Sequence, residues 1–244
     1  MHAFGSLIVI VSLLAAAQPD QAATVLAAAR TALGGEARIA GVRTFIASGR
    51  TRQIRGNNLV PIEFEIQSEL PDKYARRDEV PAQDTAPSLS GFNGDTLILV
   101  PRPPAQQAAA AQGRVVTAKQ DFARLVLGMF ATSVSSFPLT FAYAGQAEAP
   151  QGKADVLDVT GPANFKARLF INNQTHLPIM VSWPGPPPQL VEQRLYFADY
   201  REVDGFQLPF RIRRASGADT TEETTFDRFR INARIDPRRF ESGG

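Results

Sequence analysis

The most regular feature of this chain is an alternation of apolar and polar residues that begins at Thr44 and continues into the C-terminal region. The segment 61–67 (PIEFEIQ) is typical, because apolar side chains at every second position would share one face of an extended strand. Only two segments have the spacing of an amphipathic helix, the Ala-rich residues 21–33 and the strongly apolar residues 122–130. The pattern therefore predicts a mainly β protein with few helices.

The number of alternating segments indicates how the sheet is built. We expect about ten or eleven strands, separated by turn residues such as Gly56-Asn57-Asn58 and Asp204-Gly205. A single antiparallel run of that length must curl or partly close. We therefore predict a half-open antiparallel β-barrel whose concave face is covered by a few helices.

The first predicted hairpin, on either side of residues 56–58, fixes which side chains face inwards. If its turn closes tightly, Arg50 lies opposite Glu65. Arg52 then lies opposite Glu63, and both pairs form exposed ion pairs. The same parity sends these residues to the concave face: Phe45, Ala47, Gly49, Ile62, Phe64 and Ile66.

The first seventeen residues have the composition of a signal peptide. The apolar segment 7–14 (LIVIVSLL) precedes Ala15-Ala16-Ala17, which matches a small-residue cleavage site. The apolar segment is too short to span a bilayer comfortably, although an uncleaved N-terminal anchor remains an alternative because Met1–Ser6 contains no Lys or Arg. We predict a signal peptide over residues 1–17 and a single domain over residues 18–244.

Charge and cysteine content narrow the possible partners. The net charge is +2 and the pI is near 9.1, but no basic run is interleaved with stacking aromatic residues, so a nucleic-acid partner is not expected. The chain has no cysteine, which excludes disulfides, thiol catalysis and a lipid-modified cysteine. These observations predict an exported protein that is not lipidated.

Signatures of catalysis are almost absent from the sequence. The predicted mature chain has one histidine, His176, beside a predicted hairpin turn, and it lacks the G-x-S-x-G, H-E-x-x-H, Walker and G-x-G-x-x-G motifs. The paired carboxylates Glu222 and Glu223 fall on a predicted strand and would point to opposite faces. We therefore predict that the protein is not an enzyme and needs neither a metal nor another cofactor.

The order of several short segments resembles a known family. A helix is followed by the strand 42–49 (VRTFIASG), the passage 70–74 (LPDKY), the turn 92–97 (FNGDTL) and the closing segment 229–240 (FRINARIDPRRF). In this order and spacing, they resemble the lipoprotein-localisation carriers of the bacterial envelope, the LolA/LolB-like proteins. The resemblance implies a half-open barrel, with helices over its concave side and a dry cavity that takes the acyl chains of lipoproteins.

The resemblance also implies a function and a set of partners. The expected protein is a periplasmic carrier, monomeric, which holds an acyl chain or a lipoprotein lipid moiety, contacts membranes transiently and can engage an envelope protein. The alternative is a periplasmic protein-interaction or lipid-sensing module that uses the same fold without transport. We expect the apolar cavity to be lined by Phe45, Phe64, Ile66, Leu70, Leu97, Leu99, Phe122, Leu125, Val126, Met129 and Phe141.

One position departs from the family pattern. The carriers keep an arginine immediately before the proline of the passage that here reads Leu70-Pro71, and this arginine bonds the helical lid. Leucine has no donor to offer at this position. We therefore expect the lid helix to be held closed by apolar contact alone.

Overall fold

A single antiparallel sheet of twelve strands forms most of the structure, a computed structural model that describes residues 20–56, 58–81, 83, 85–102, 111–149 and 152–241. The predicted signal peptide lies outside these residues. The strands are β1 Thr44–Arg55, β2 Asn58–Glu69, β3 Lys73–Glu79, β4 Ser88–Asn93, β5 Thr96–Val100, β6 Thr140–Ala149, β7 Gly152–Gly161, β8 Phe165–Asn172, β9 Pro178–Trp183, β10 Gln193–Val203, β11 Phe206–Ser216 and β12 Asp219–Ile231.

The sheet is two meanders joined along one pair of strands. Its order is β5-β4-β3-β2-β1-β12-β11-β10-β9-β8-β7-β6, so β1 and β12 pair in the middle while β5 and β6 form the two free edges. The curled, open arrangement confirms the predicted half-open barrel. The sheet has twelve strands, slightly more than the predicted ten or eleven.

Three α-helices accompany the sheet in the described ranges, α1 Gln21–Ala32, α2 Glu36–Ala40 and α3 Ala111–Phe130. The Asp20 side chain caps α1 by accepting a hydrogen bond from the Ala22 amide at 3.0 Å. The helix α3 starts well before the predicted residue 122, because Val115 and Ala118 continue its apolar stripe towards the N-terminus. Since α3 connects the edge strands β5 and β6, it crosses the open side of the barrel.

The β1–β2 hairpin has the predicted faces but a different register. Pairing continues until Arg55 lies opposite Asn58, which places Arg50 opposite Glu63 and not opposite Glu65. The predicted Arg50 and Arg52 ion pairs with β2 are therefore wrong, and the Arg50 guanidinium instead lies 3.4 Å from the Asp227 carboxylate of β12. The error is two residues, so every side chain keeps its predicted face.

The concave and convex faces are covered differently. The concave face carries the main core and packs against α1 and α3. On the convex face, the C-terminal residues Ile235 and Phe240 cover Ile46, Ala75 and Ile98 in a second, smaller apolar cluster. The cavity described below lies on the concave side.

Candidate functional site: a cavity under the lid helix

A cavity of about 450 Å³ lies between α3 and the concave face of the sheet. Ligand pockets in proteins typically span about 300–1,000 Å³, so the space is large enough for a small apolar molecule. Six residues of α3 line it: Arg114, Thr117, Ala118, Asp121, Phe122 and Leu125. The sheet contributes mainly apolar side chains, which are Phe64, Ile66, Leu97, Leu99, Leu195, Ile212 and Phe226.

Aromatic rings make the apolar wall rigid. Phe64 of β2 and Phe226 of β12 meet edge to face with their ring centroids 5.4 Å apart. Phe122 of α3 contacts Tyr74 and Phe92, with centroid distances of 5.0 and 5.7 Å. Such aromatic pairs stabilise by about 0.5–1.5 kcal/mol beyond their buried area, so the wall is pre-formed.

A partly buried polar network forms the opposite wall. The Arg76 Nε donates to Asp78 at 2.7 Å, its Nη1 lies 3.8 Å from Glu222, and its guanidinium stacks 4.7 Å from the Phe64 ring centroid. The Thr224 hydroxyl donates to Glu222 at 3.1 Å and shares a 2.7 Å hydrogen bond with Thr51. The cavity is therefore amphipathic and not uniformly dry.

Burial and charge shift two pKa values in this wall. Burial lowers the pKa of the Arg76 guanidinium, but the charges of Asp78 and Glu222 outweigh it, so the pKa lies above its ordinary value. Burial raises the pKa of the Tyr74 hydroxyl to about 12. Both groups therefore keep their neutral-pH protonation states.

Sequence reasoning did not identify these polar lining residues. Consecutive polar residues occupy β3 and the first half of β12, so alternation does not show which of them face inwards. Pairing decides it, because Arg76 lies opposite Ile66 and Glu222 opposite Gln53 on the concave side. Glu223 consequently faces the convex side, as the sequence predicts for a Glu222-Glu223 pair.

The structure separates the predicted lining residues into two groups. Six of the eleven line the cavity, namely Phe64, Ile66, Leu97, Leu99, Phe122 and Leu125.

The other five lie elsewhere, although all of them belong to the apolar core or pack against it. Phe45, Val126 and Met129 are at most 1% exposed, because the C-terminal half of α3 packs directly on the sheet, and Val126 borders only the depression described next. Phe141 lies on the edge strand β6, far along the sheet from β3–β5. Leu70 lines a separate surface depression of about 390 Å³ beside the end of α3.

Directional contacts also hold α3 in place, which corrects the expectation of an apolar latch alone. At the C-terminal end, the Tyr200 hydroxyl donates to the Gly128 carbonyl at 3.2 Å, and the Arg30 Nε donates to the Ala131 carbonyl at 3.0 Å. Nearer the middle, Lys119 Nζ lies 2.5 Å from the Asp95 carboxylate in the β4–β5 turn. These donors replace the one that Leu70 cannot provide, because they reach α3 from other elements.

Metal ligands, membrane-spanning helices and His176 also bear on the kind of site. Across the described part of the chain, no group of three or more His, Cys, Asp or Glu side chains is placed to hold a metal ion. The same residues include no helix that is both long and apolar enough to cross a membrane. His176 is exposed in the turn between β8 and β9, well separated in sequence and strand order from the cavity.

The comparisons with known proteins concern the fold. No family model and no curated protein sequence matches the chain. A LolA superfamily protein from Nitrosomonas europaea matches in structure with a TM-score of 0.58 at 13% identity, over 89% of this chain and 96% of that one. The chain has a LolA-like fold.

Two further solved structures support this assignment. A putative outer membrane lipoprotein-sorting protein domain from Vibrio parahaemolyticus gives a TM-score of 0.55 at 10% identity, over 90% of this chain and 97% of that one. A DUF1329 family protein from Desulfovibrio piger gives 0.59 at 13% identity, over 91% and 98%. The LolA-like fold therefore spans almost the whole described chain, and its sheet and lid helix account for where the cavity lies.

Proposed function

We propose that this protein is a carrier that binds the acyl chain of a lipid or lipoprotein in the cavity under α3. The observation that carries the proposal is a cavity of about 450 Å³ walled by aromatic and aliphatic side chains on a LolA-like sheet. Phe122 and Leu125 of α3 close this cavity from above, so an acyl chain could replace their contacts with one another and with the sheet. The role is binding and not catalysis.

The proposed setting is the periplasm. The apolar segment 7–14 with its following alanines supports export, and the absence of cysteine means that no lipid-modified cysteine anchors the protein. A carrier of this kind works as a monomer, takes its ligand during transient contact with a membrane and delivers it to another membrane or to an envelope protein. The LolA-like fold supports this setting, since one neighbour is a lipoprotein-sorting domain.

The test is to fill the cavity. Ala118 lies on the cavity side of α3, and Ala118→Trp should abolish binding of a dansyl-labelled undecanoic acid while the thermal unfolding temperature stays near that of the wild type. Ala27→Trp is the matched control, because Ala27 is exposed on α1 and away from the cavity. Equal binding by wild type and Ala118→Trp, or no binding by the wild type at any concentration, would overturn the proposal.

A second candidate function rests on the convex face. There, Arg50 and Arg52 of β1 and Arg211 and Arg213 of β11 line a groove of about 640 Å³ on either side of β12, where they outnumber the lining carboxylates of Glu63 and Glu223. A protein-interaction or lipid-sensing module could use this groove to dock an acidic segment of an envelope protein. The Arg211→Glu, Arg213→Glu double variant should then lose binding to a polyglutamate peptide and keep its binding of the dansyl probe.

A further inference from the structure

Two arginines share one aromatic ring beside the cavity. The Arg124 guanidinium carbon of α3 lies 4.4 Å from the ring centroid of Trp183, and that of Arg214 on β11 lies 5.6 Å from it. Arg214 also lines the cavity directly. The lid and the sheet therefore bring two positive charges together at the Trp183 ring.

The two arginines differ in their ion pairs. Arg124 is 6% exposed and donates from Nη1 to Asp121 at 2.8 Å, but its Nε has no hydrogen-bond partner. Arg214 makes no ion pair within the described ranges. Glu222 lies opposite it on β12, but this carboxylate pairs with Arg76 and accepts a hydrogen bond from Thr224. Arg124 therefore has a carboxylate of its own, whereas Arg214 has no ion-pair partner among the described residues.

Placing the two guanidiniums near one ring has an electrostatic cost. Like charges repel more strongly where water is partly excluded, and a buried donor without a partner costs about 1–3 kcal/mol. Burial lowers the pKa of Arg124, and the charge of Arg214 lowers it further. An anion placed beside Arg214 in the cavity would weaken the repulsion between the two guanidiniums, because it adds a negative charge next to the one that lacks an ion pair.

The position of Arg124 and Arg214 relative to the apolar wall indicates the chemical class of the ligand. Arg214 lies next to Leu195 and Ile212 in the sheet, and Asp121 and Leu125 face the same cavity from α3. We propose that Arg214, backed by Arg124, is the head-group subsite for an amphiphile with an anionic carboxylate or phosphate head, whose tail lies against Phe122 and Leu125. The inference rests on the proposed carrier function and adds the charge of the ligand to it.

Trp183 provides a built-in reporter, because the chain contains one tryptophan and both arginines stack near it. Titration of the purified full chain with dodecanoate, dodecyl phosphate and dodecanol should change its emission. We expect the two anions to bind about tenfold more tightly than the alcohol, since a charge-assisted hydrogen bond is lost with the alcohol. The relative affinities of dodecanoate and dodecyl phosphate then distinguish a fatty-acid head from a phospholipid head.

The variants separate this inference from the carrier function. Arg214→Gln should remove the tenfold preference for anions and leave the dissociation constant for dodecanol unchanged. Arg230→Gln is the matched control, because Arg230 is exposed on β12 and lies opposite Ile46 on the convex face, outside both the cavity and the arginine groove.

Equal affinity of the wild type for dodecanoate and dodecanol would overturn the subsite and leave the carrier standing. Absence of binding by all three probes would overturn both. Should Arg214→Gln fail to fold, the preference of the wild type for anions and its loss in high salt decide the matter, because a screened charge interaction weakens with ionic strength.

Discussion

The two halves of α3 pack differently on the same sheet, and we call the C-terminal half the sealed half and the N-terminal half, which covers the cavity, the open half. In the C-terminal half, Gly128 lies so close to the Phe197 ring that a Cβ added there would be 1.9 Å from the ring Cζ. The neighbouring Leu127 and Met129 are at most 1% exposed. In the N-terminal half, a Cβ added at Gly113 would meet nothing within 4 Å, and the cavity lies below residues 114–125.

The comparison teaches that an apolar stripe does not by itself decide whether a lid is sealed. The stripe runs along most of α3, but at Gly128 the helix backbone itself lies against the sheet, because the absent side chain lets it approach Phe197. Towards the other end, the side chains of Phe122 and Leu125 hold the helix away from the polar wall of Arg76 and Glu222. The lid should therefore open from its N-terminal half and pivot about its C-terminal half.

The largest expected effect is a loss of stability when the packing of the sealed half is disrupted. Gly128→Ala places a methyl group inside the ring of Phe197, which is 0% exposed and cannot move aside freely. Overpacking of this kind should lower the free energy of unfolding by about 3 kcal/mol, measured by urea denaturation.

Gly113→Ala on the same helix is the control, and it should stabilise by about 0.5–1 kcal/mol because the site is open and alanine favours helix. If both substitutions changed stability equally, the two halves would not differ in packing as described.

These particular residues show how far the sequence alone predicts the molecule. Alternation along β1 and β2 is strong, so the inward position of Phe64 and Ile66 was predictable. A two-residue register error leaves each side chain on its predicted face. The polar wall was not predictable, because β3 and β12 carry adjacent polar residues on both faces. The contact between Gly128 and Phe197 joins residues far apart in sequence, and no local pattern marks it.

The next expected effect is a loss of stability at alkaline pH, caused by Tyr74 beneath the open half. Burial raises the pKa of Tyr74 to about 12, whereas the unfolded chain loses this proton near its ordinary value of 10.0. The stability from this shift is full below pH 10 and is lost as the pH rises towards 12, by about 2 kcal/mol. Tyr74→Phe should flatten this part of the stability profile, measured by urea denaturation between pH 9 and pH 12.

Tyr200 is the internal comparison for that measurement. Burial raises its pKa well above 10.0, and it lies in the sealed half. Some alkaline destabilisation should therefore remain in Tyr74→Phe and disappear only when Tyr200 is replaced too. A profile unchanged by Tyr74→Phe would mean that this hydroxyl is solvated in the folded protein.

A smaller effect is expected from the hydrogen bonds of the sealed half. The Tyr200 hydroxyl lies 2.6 Å from the Pro178 carbonyl and 3.2 Å from the Gly128 carbonyl, so it ties β9 to α3. Tyr200→Phe keeps the ring and should cost about 1 kcal/mol at neutral pH. Amide exchange of residues 126–130 should quicken by about fivefold in this variant, while exchange of residues 115–122 stays as it was.

The smallest expected effect comes from the ion pair of the open half. Lys119 Nζ lies 2.5 Å from the Asp95 carboxylate, whose side chain is 98% exposed in the β4–β5 turn. An exposed ion pair contributes little to global stability because water and salt compete for both charges. Lys119→Gln should therefore leave the urea midpoint unchanged, yet it removes a tie that holds the N-terminal half of α3 to the sheet edge. Amide exchange of residues 115–122 should quicken by about twofold at low salt and match the wild type at high salt. Faster exchange of residues 126–130 instead would show that the helix opens from its other end, and the pivot assigned to Gly128 would be wrong.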